Sequence, residues 1–362
     1  MKFNYFAAAG VIAAIAVSAS TPLYADFTYT ETTQITGGSI VGMMKMASAF
    51  SKQARQAGDP VVSTVIVKGN RMTRIGQDRT EIIDLDKGTV TEIDMVKHQY
   101  TVMTFEQMKQ RMDAATQRAK QRQAKSAPDQ SSNTDVKFQV HVRNTNATKD
   151  VAGLSAKESI MTMSMDATNT TSGQTGSLGI TNDMWLTPEI PGYNEVRDFY
   201  ARYAARMGTV FGGMGGMSAM LATHPGATQG MADMAKEVSK LKGVPVLQVT
   251  RMGNTVNGVP IPAASEAPLP ASNSPATPSA GEVGQQAATS AIASSLGLGG
   301  LGFGRKKKAD AAPADQSQGA PGTATVLMES NTQLSSFSQA PVDAAKFDIP
   351  AGFKQIEPKN LD

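Results

Sequence analysis

The chain is 362 residues long and contains no cysteine. Disulfide bonds are therefore excluded, and the stability of an exported protein with this sequence has to come from its hydrophobic core. A lipid anchor attached after export is also excluded, because that attachment requires a cysteine at the start of the mature chain. We therefore do not expect a lipoprotein.

Long apolar runs are missing except at the start of the chain. A charged residue precedes the apolar run Phe6–Val17, and Leu23-Tyr24-Ala25 fits a cleavage site before Asp26. The run is shorter than the ~20 residues of a membrane-spanning helix, which disfavours an uncleaved anchor. We therefore predict a signal peptide over residues 1–25 and a soluble periplasmic protein, with cleavage after Ala19 as the alternative.

Histidine and the familiar catalytic motifs are scarce. The three histidines, His98, His141 and His224, lie far apart and show neither an HExxH pattern nor any similar zinc-ligand spacing. No Gly-x-Ser-x-Gly nucleophile elbow occurs. The sequence therefore predicts no catalytic residue, no metal site and no cofactor, and we expect a protein that is not an enzyme.

Excess charge is missing from the part of the chain that is expected to fold. The formal net charge is +3, but Lys2 belongs to the leader and four further cations lie in a low-complexity tract. The remainder is close to neutral, so a nucleic-acid partner is not expected. The four cations suggest either a weak contact with an anionic membrane surface or a solvated linker; they are Arg305, Lys306, Lys307 and Lys308.

Strand signals dominate the chain after the leader. Residues Val61–Met103 contain β-rich runs separated by turn sequences such as Gly69-Asn70 and Asp86-Lys87-Gly88, which supply the positive φ of tight hairpins. This pattern predicts an antiparallel meander. Alternation or β-rich composition predicts further strands at Asp26–Thr36, Val136–Val142, Glu158–Thr168, Leu178–Leu186, Val244–Met252 and Thr323–Leu334.

Helix signals are fewer, and the predicted fold class is α+β. Thr104 and Gln107 form a capping box that begins a helix, with Phe105, Met108 and Met112 on its apolar stripe. Further helices are predicted from Gly37 to about Lys52, after Pro191-Gly192, and over Ala227–Leu241.

Composition changes sharply after residue 258. Residues 259–322 are dominated by Ala, Pro, Ser and Gly and carry too little apolar surface to order themselves, so we predict a disordered insertion. Residues 26–258 and 323–362 then form a single domain, and the strand after the insertion returns to the same sheet. Two separate domains are less favoured, because the piece after Gly322 is too short to form its own core.

An ordered series of short motifs runs through the predicted domain. The motifs are Lys68-Gly69-Asn70-Arg71-Met72, Ile83-Asp84-Leu85-Asp86-Lys87-Gly88, Tyr100-Thr101-Val102, Val151-Ala152-Gly153-Leu154-Ser155-Ala156, Trp185-Leu186-Thr187-Pro188 with Pro191-Gly192, and Phe347-Asp348-Ile349-Pro350-Ala351-Gly352-Phe353. In this order they resemble a group of exported bacterial proteins that is similar to the LolA/LolB superfamily of periplasmic lipoprotein carriers. The resemblance covers most of Asp26–Val256 and Thr323–Ile356.

The resemblance implies a strongly curved antiparallel sheet that forms an open half-barrel. Helices are expected to cover its concave apolar face, on which the best-known members of the superfamily carry acyl chains. No ligand-contacting residue of those carriers maps onto a motif of this chain. The insertion and the additional helices between Gly192 and Leu241 depart from the compact carriers.

Methionine is abundant, with 21 residues. Met161, Met163 and Met165 alternate along one predicted strand and share a face, and thioethers form a soft apolar surface that repacks around lipid tails. We therefore hypothesise a non-enzymatic binding protein that holds acyl chains or lipidated partners. The predicted ligand-binding residues are Phe105, Met108, Met112, Phe138, Val140, Met161, Met163 and Met165.

Three alternatives stay open from the sequence. The same apolar residues are suitable as ordinary core fillers. The protein could instead be a structural or assembly module of the envelope that binds a protein partner. The third alternative is a soft-metal site for Cu(I) with Met214, Met217 and Met220 as ligands, although a glycine-rich loop tip explains their spacing more simply.

Overall fold

The structure is a computed structural model, which describes residues 26–41, 58–126, 134–169, 175–211, 236–255, 259–269 and 325–358. The predicted signal peptide, the basic run Arg305–Lys308 and the three candidate copper ligands lie outside the described residues. Most of the predicted helix from Gly37 to Lys52 and most of the predicted helix Ala227–Leu241 lie outside them as well.

Twelve strands form one large open sheet. They are β1 (Phe27–Gly37), β2 (Val61–Lys68), β3 (Arg71–Ile75), β4 (Arg79–Asp84), β5 (Thr89–Asp94), β6 (Gln99–Thr104), β7 (Thr134–Val151), β8 (Leu154–Asn169), β9 (Thr175–Thr187), β10 (Val244–Asn254), β11 (Thr325–Ser338) and β12 (Lys354–Gln355). Their order across the sheet is β12-β6-β5-β4-β3-β2-β1-β11-β10-β9-β8-β7. All neighbouring strands are antiparallel except β12 and β6, which are parallel.

The predicted meander is confirmed as β2 to β6, with strand ends within a residue or so of the expected ones. Its turns place Gly69 at φ +56° and Gly88 at φ +63°, which is the left-handed region that a glycine enters without a steric penalty. The hairpin between β7 and β8 uses Ala152 and Gly153, both at positive φ, as its central residues. The strand predicted at Val136–Val142 is longer than expected, because β7 runs from Thr134 to this turn.

Among the described residues, two helices pack on one face of the sheet: α1 (Phe105–Ser126) and α2 (Asn194–Phe211). Cross-strand partners share a face, and the register aligns buried apolar residues in a row across β1 to β5: Phe27, Val67, Met72, Ile83 and Val90. Phe105 of α1 and Phe199 of α2 join this cluster, and Tyr203 contacts both rings at centroid distances of 5.8 and 6.3 Å. This cluster is the hydrophobic core, and it extends beyond β1–β6 to Val151 of β7, Ala156 of β8, Val246 of β10 and Leu334 of β11.

The predicted capping box at the start of α1 is confirmed. The Gln107 backbone N–H donates to Thr104 Oγ1 at 3.1 Å, and the Thr104 N–H donates to Gln107 Oε1 at 2.9 Å. We expect Thr104→Ala to lower the free energy of unfolding by about 1 kcal/mol. The substitution removes the hydroxyl that accepts from the Gln107 N–H, and the reciprocal pair of hydrogen bonds is no longer complete. Urea denaturation measures this loss. Thr104→Ser should retain most of the stability, and equal losses for both variants would contradict a capping role.

The segment after β11 crosses from β1 towards β6. Asp26 Oδ2 accepts hydrogen bonds from Lys68 Nζ and from the backbone N–H of Val342, both at 2.7 Å. Arg71 donates to the carbonyl of Phe347, and its guanidinium lies 4.9 Å from the centroid of that ring. The chain then pairs as β12 along β6. These contacts place the carboxy-terminal motif Phe347–Phe353 beside the meander.

Residues 259–269, which we call the strap, differ from the prediction of disorder over 259–322. Ile261 and Ala263 are each only 1% exposed. The strap is held by polar contacts to the face of the sheet opposite the helices: Thr181 Oγ1 donates to the carbonyl of Ile261, and Arg251 Nη1 donates to three strap carbonyls. The prediction of disorder is wrong for these residues. Their composition does not reveal that a distant arginine, Arg251, donates hydrogen bonds to their backbone carbonyls.

Beyond the strap, β11 returns to the centre of the sheet, between β1 and β10. The prediction that this strand rejoins the sheet is confirmed by its register with both neighbours, for example Thr332 opposite Thr33 on one side and opposite Gln248 on the other. The low-complexity segment therefore connects two strands that are neighbours in one sheet.

Candidate functional site

One row of apolar side chains crosses five neighbouring strands at the β7 end of the sheet. The register places Val140 opposite Met163, Met163 opposite Ile180, Ile180 opposite Met252, and Met252 opposite Met328. Directly opposed residues in antiparallel pairs project from the same face, so these five side chains form a continuous row. All five are half-buried. We call this row, together with the flanking Met161 and Met165, the methionine face.

The two flanking rows have different polarity. On one side the register aligns Phe138, Met165 and Leu178, which extends the apolar surface. On the other side it aligns Val142, Met161, Asn182, Thr250 and Ser330, so this border becomes polar towards β11. Asn182 Nδ2 donates to Gln248 Oε1 at 3.1 Å and fixes that border.

The methionine face is on the same side of the sheet as the helix-covered core. Met252 and Gln248 share a face of β10, Gln248 is opposite Thr332, and Thr332 is opposite Thr33 of β1. Thr33 alternates in phase with Phe27 and Tyr29, whose side chains are in the core under α2. One side of the sheet therefore carries both the helix-covered core and, on other parts of β7 to β11, a half-buried apolar row whose members do not belong to the core cluster.

The predicted ligand residues divide between these two regions. Phe105 is 3% exposed inside the core, and Met108 packs against that core, so both serve the helix-covered half. Val140, Met161, Met163 and Met165 lie on the methionine face, near the opposite end of the strand order. The side chains of Met112 and Phe138 lie outside the part that the structure describes, although Phe138 is opposite Met165 in the register.

Sequence reasoning missed Ile180, Met252 and Met328 as members of the row. Each lies in a strand that alternation predicts, so its face could be assigned locally. The order of the strands could not be assigned, because β11 enters between β1 and β10 from beyond the low-complexity segment. Only the observed register joins these three residues to Met163.

A polar cluster lies next to the core on the helix-covered side. Arg74 lies 3.7 Å from a carboxylate oxygen of Glu31 and 3.7 Å from one of Glu81. The hydroxyls of Tyr29 and Tyr200 share a hydrogen bond, and burial raises the pKa of the Tyr29 hydroxyl far above its ordinary value. Tyr29 therefore stays protonated at neutral pH as a hydrogen-bonding core residue, whereas Tyr200 is 37% exposed.

No group of three or more His, Asp or Glu side chains that could hold a metal ion occurs among the described residues. His141 Nδ1 lies 4.0 Å from Glu237 Oε2, and Glu237 in turn accepts a hydrogen bond from the Val142 N–H at the edge of β7. This contact caps a free backbone donor of an edge strand. We therefore assign this contact a structural role at the sheet edge.

Comparison with known proteins gave no match to any family model, curated protein or solved structure. Within the described residues, no helix has the length and apolar character needed to cross a membrane.

Proposed function

We propose that the protein is a non-enzymatic periplasmic binding protein that holds apolar ligands, either acyl chains or lipidated partners, on the methionine face. In this proposal the open sheet curves into a half-barrel, and its helices cover only part of the concave side. The observation that carries the proposal is the row of five half-buried apolar side chains on neighbouring strands. The resemblance to the LolA/LolB superfamily implies the same arrangement.

The length of the row suits an acyl chain. Neighbouring strands are about 4.8 Å apart, so the row from Val140 to Met328 spans roughly 19 Å. A leaflet of a bilayer has a hydrocarbon thickness of about 15 Å, half of the whole core. A membrane acyl chain laid across the strands would therefore reach over most of the row, about four of its five strands.

The chemistry of the row favours an apolar ligand of variable shape. Each CH₂ group transferred from water to the row would contribute about 0.8 kcal/mol, without any directional contact. Three of the five members are methionines, whose flexible thioethers adapt to irregular partners. The polar border at Asn182 and Thr250 would remain near the hydrated end of such a ligand.

The division of the sheet also favours binding at this end. On the helix-covered side, Phe27, Phe105 and Phe199 are at most 3% exposed and belong to one packed cluster. The core around these rings has already buried its apolar surface with side chains of the chain itself. The methionine face retains partly exposed apolar atoms on five strands, which is the surface that a ligand could still remove from water.

The test is binding of a fluorescent fatty acid to the purified protein and to Met163→Asp. We expect the substitution to weaken binding at least tenfold, because an ionised carboxylate at the centre of the row would have to lose its hydration under the acyl chain. Met163→Leu should bind like the unchanged protein, since it conserves apolar volume. Mass spectrometry of the purified protein should also detect co-purified lipid.

Met95→Asp is the matched control, because Met95 is a half-buried methionine in the turn after β5, far from the row. It should leave fatty-acid affinity unchanged. Equal affinities for Met163→Asp and the unchanged protein would contradict the proposed site. Absence of any lipid binding, combined with one stoichiometric protein in a pull-down, would instead support the envelope assembly module.

A further inference from the structure

Two carboxylates are buried side by side on the face opposite the helices. Glu158 of β8 and Asp183 of β9 are 4% and 2% exposed. Glu158 is opposite Trp185 and Asp183 is opposite Ile160, so the two carboxylates occupy diagonal positions on adjacent strands. Burial, followed by the negative charge of Glu158, raises the pKa of Asp183 above its ordinary value.

The hydrogen bonds of this acid pair are complete except at one oxygen of each group. Glu158 Oε2 accepts from the hydroxyl of Thr145, and Asp183 Oδ2 accepts from the Ser265 N–H at 3.1 Å. Within the described chain, the remaining buried oxygens, Glu158 Oε1 and Asp183 Oδ1, have no donor. One proton held between the two carboxylates would satisfy both oxygens, whereas two ionised groups would satisfy neither.

The strap lies directly on this acid pair. Its Ser265 N–H is bonded to Asp183, and its Glu266 forms an ion pair with Arg143 of β7. Arg251 holds it further along, through hydrogen bonds of 2.7 to 3.0 Å to the carbonyls of Pro262, Ala263 and Ala267. A seated strap therefore withholds water from the two carboxylates.

The charged groups that face the acid pair have other partners. From β10, Arg251 is paired with Glu329 of β11 at 2.7 Å, and from β7, Arg143 is paired with Glu266 of the strap. Lys149 of β7 lies over the Trp185 ring, 5.4 Å from its centroid. His141, also on β7, is largely exposed and lies beside Glu237. Because these cations already have other partners, none of the described groups would neutralise the second negative charge if both carboxylates were ionised.

We propose that the strap is a pH-sensitive latch, which stays seated while Asp183 holds a proton beside Glu158 and is released when that proton is lost. The open form would hydrate Asp183 and return it to its ordinary acidity. The closed form therefore binds the proton more tightly than the open form, and rising pH favours opening. Lower pH holds the latch closed, and higher pH exposes the polar face of β8 to β10.

The absence of cysteine from the chain permits a direct test. A single cysteine at Ala263, which is 1% exposed, reports opening through its rate of thiol labelling. The rate for an exposed Ala147→Cys variant at the same pH corrects for thiol ionisation and gives a protection factor. We expect this factor to fall with rising pH, by up to tenfold per pH unit for one released proton, about the limit that linkage sets.

Asp183→Asn imitates the protonated acid and should make the protection factor independent of pH. Asp59→Asn removes the same charge from an exposed position and should retain the fall. A pH-independent factor in the unsubstituted background, or equal slopes with and without Asp183→Asn, would overturn the latch. If Ala263→Cys does not fold, hydrogen exchange at the Ser265 amide, corrected for its intrinsic rate, provides the same measurement.

A cysteine at Thr73 distinguishes strap release from unfolding of the whole sheet. Thr73 lies in β3 and is fully buried. Its protection factor should stay constant over the pH range in which the factor at Ala263 falls. A parallel fall at both positions would show that the sheet unfolds as a unit and would overturn the latch.

Discussion

Replacing Arg251 with methionine should lower the free energy of unfolding by about 3–5 kcal/mol, the cost of removing one partner of a buried ion pair. Arg251 is 1% exposed and is the largest fully buried side chain of the described residues. Its Nε donates to Glu329 Oε2 at 2.7 Å, and its Nη1 donates to three carbonyls of the strap. Methionine would leave the half-buried Glu329 carboxylate without its cation, with only the Thr36 hydroxyl as a donor, and three strap carbonyls without a donor.

Urea denaturation followed by the fluorescence of Trp185, the single tryptophan, measures this loss. Arg79→Met, at an exposed position of β4, is the matched control and should change stability by less than about 0.5 kcal/mol. The double variant Arg251→Met with Glu329→Gln should recover part of the loss, because no uncompensated charge remains. Equal stability of Arg251→Met and Arg79→Met would show that the strap contacts contribute nothing.

Hairpins and the capping box were predictable because their determinants are local. Gly69 and Gly88 supply positive φ within the turns themselves, and Thr104 and Gln107 are three residues apart. Any chain segment with these residues would favour the same geometry in isolation. This explains why the observed ends of β2 to β6 agree so closely with the ends predicted from the sequence.

The strap was not predictable because its determinants are distant. Its own sequence is rich in alanine and proline, a composition that predicts disorder. The residues that order it come from four strands. They are Arg143 of β7, Thr181 and Asp183 of β9, Arg251 of β10, and Glu329 of β11, which holds Arg251 in place. A buried arginine that binds backbone carbonyls leaves no periodic signal in the segment that it binds.

The methionine face could be predicted from the sequence only in part. Alternation correctly predicted that Met161, Met163 and Met165 share one face of a strand, and their register with β7 and β9 confirms it. Alternation could not predict that the helix residue Phe105 is buried in a core at the other end of the strand order. A period of two identifies faces, whereas strand order decides which faces become neighbours.

Replacing Phe199 with alanine should lower the free energy of unfolding by about 3–5 kcal/mol, the usual cost of truncating a buried phenylalanine. Phe199 is 0% exposed and lies between α2 and the sheet, in the same cluster as Phe27 and Val67. Its ring stacks on that of Tyr203 with an interplanar angle of 16°. Alanine preserves helix propensity, so the loss would measure packing of α2 on the sheet and not helix formation.

Arg206→Ala, on an exposed position of the same helix, is the control and should change stability by no more than about 0.5 kcal/mol. The same two variants separate the two halves of the sheet. If α2 only closes the core, Phe199→Ala should keep its fatty-acid affinity at temperatures where it is still folded, because no residue of the methionine face belongs to the core cluster. Loss of both stability and affinity would mean that α2 also forms part of the ligand site, and the proposed site would then extend from the methionine face to the helix.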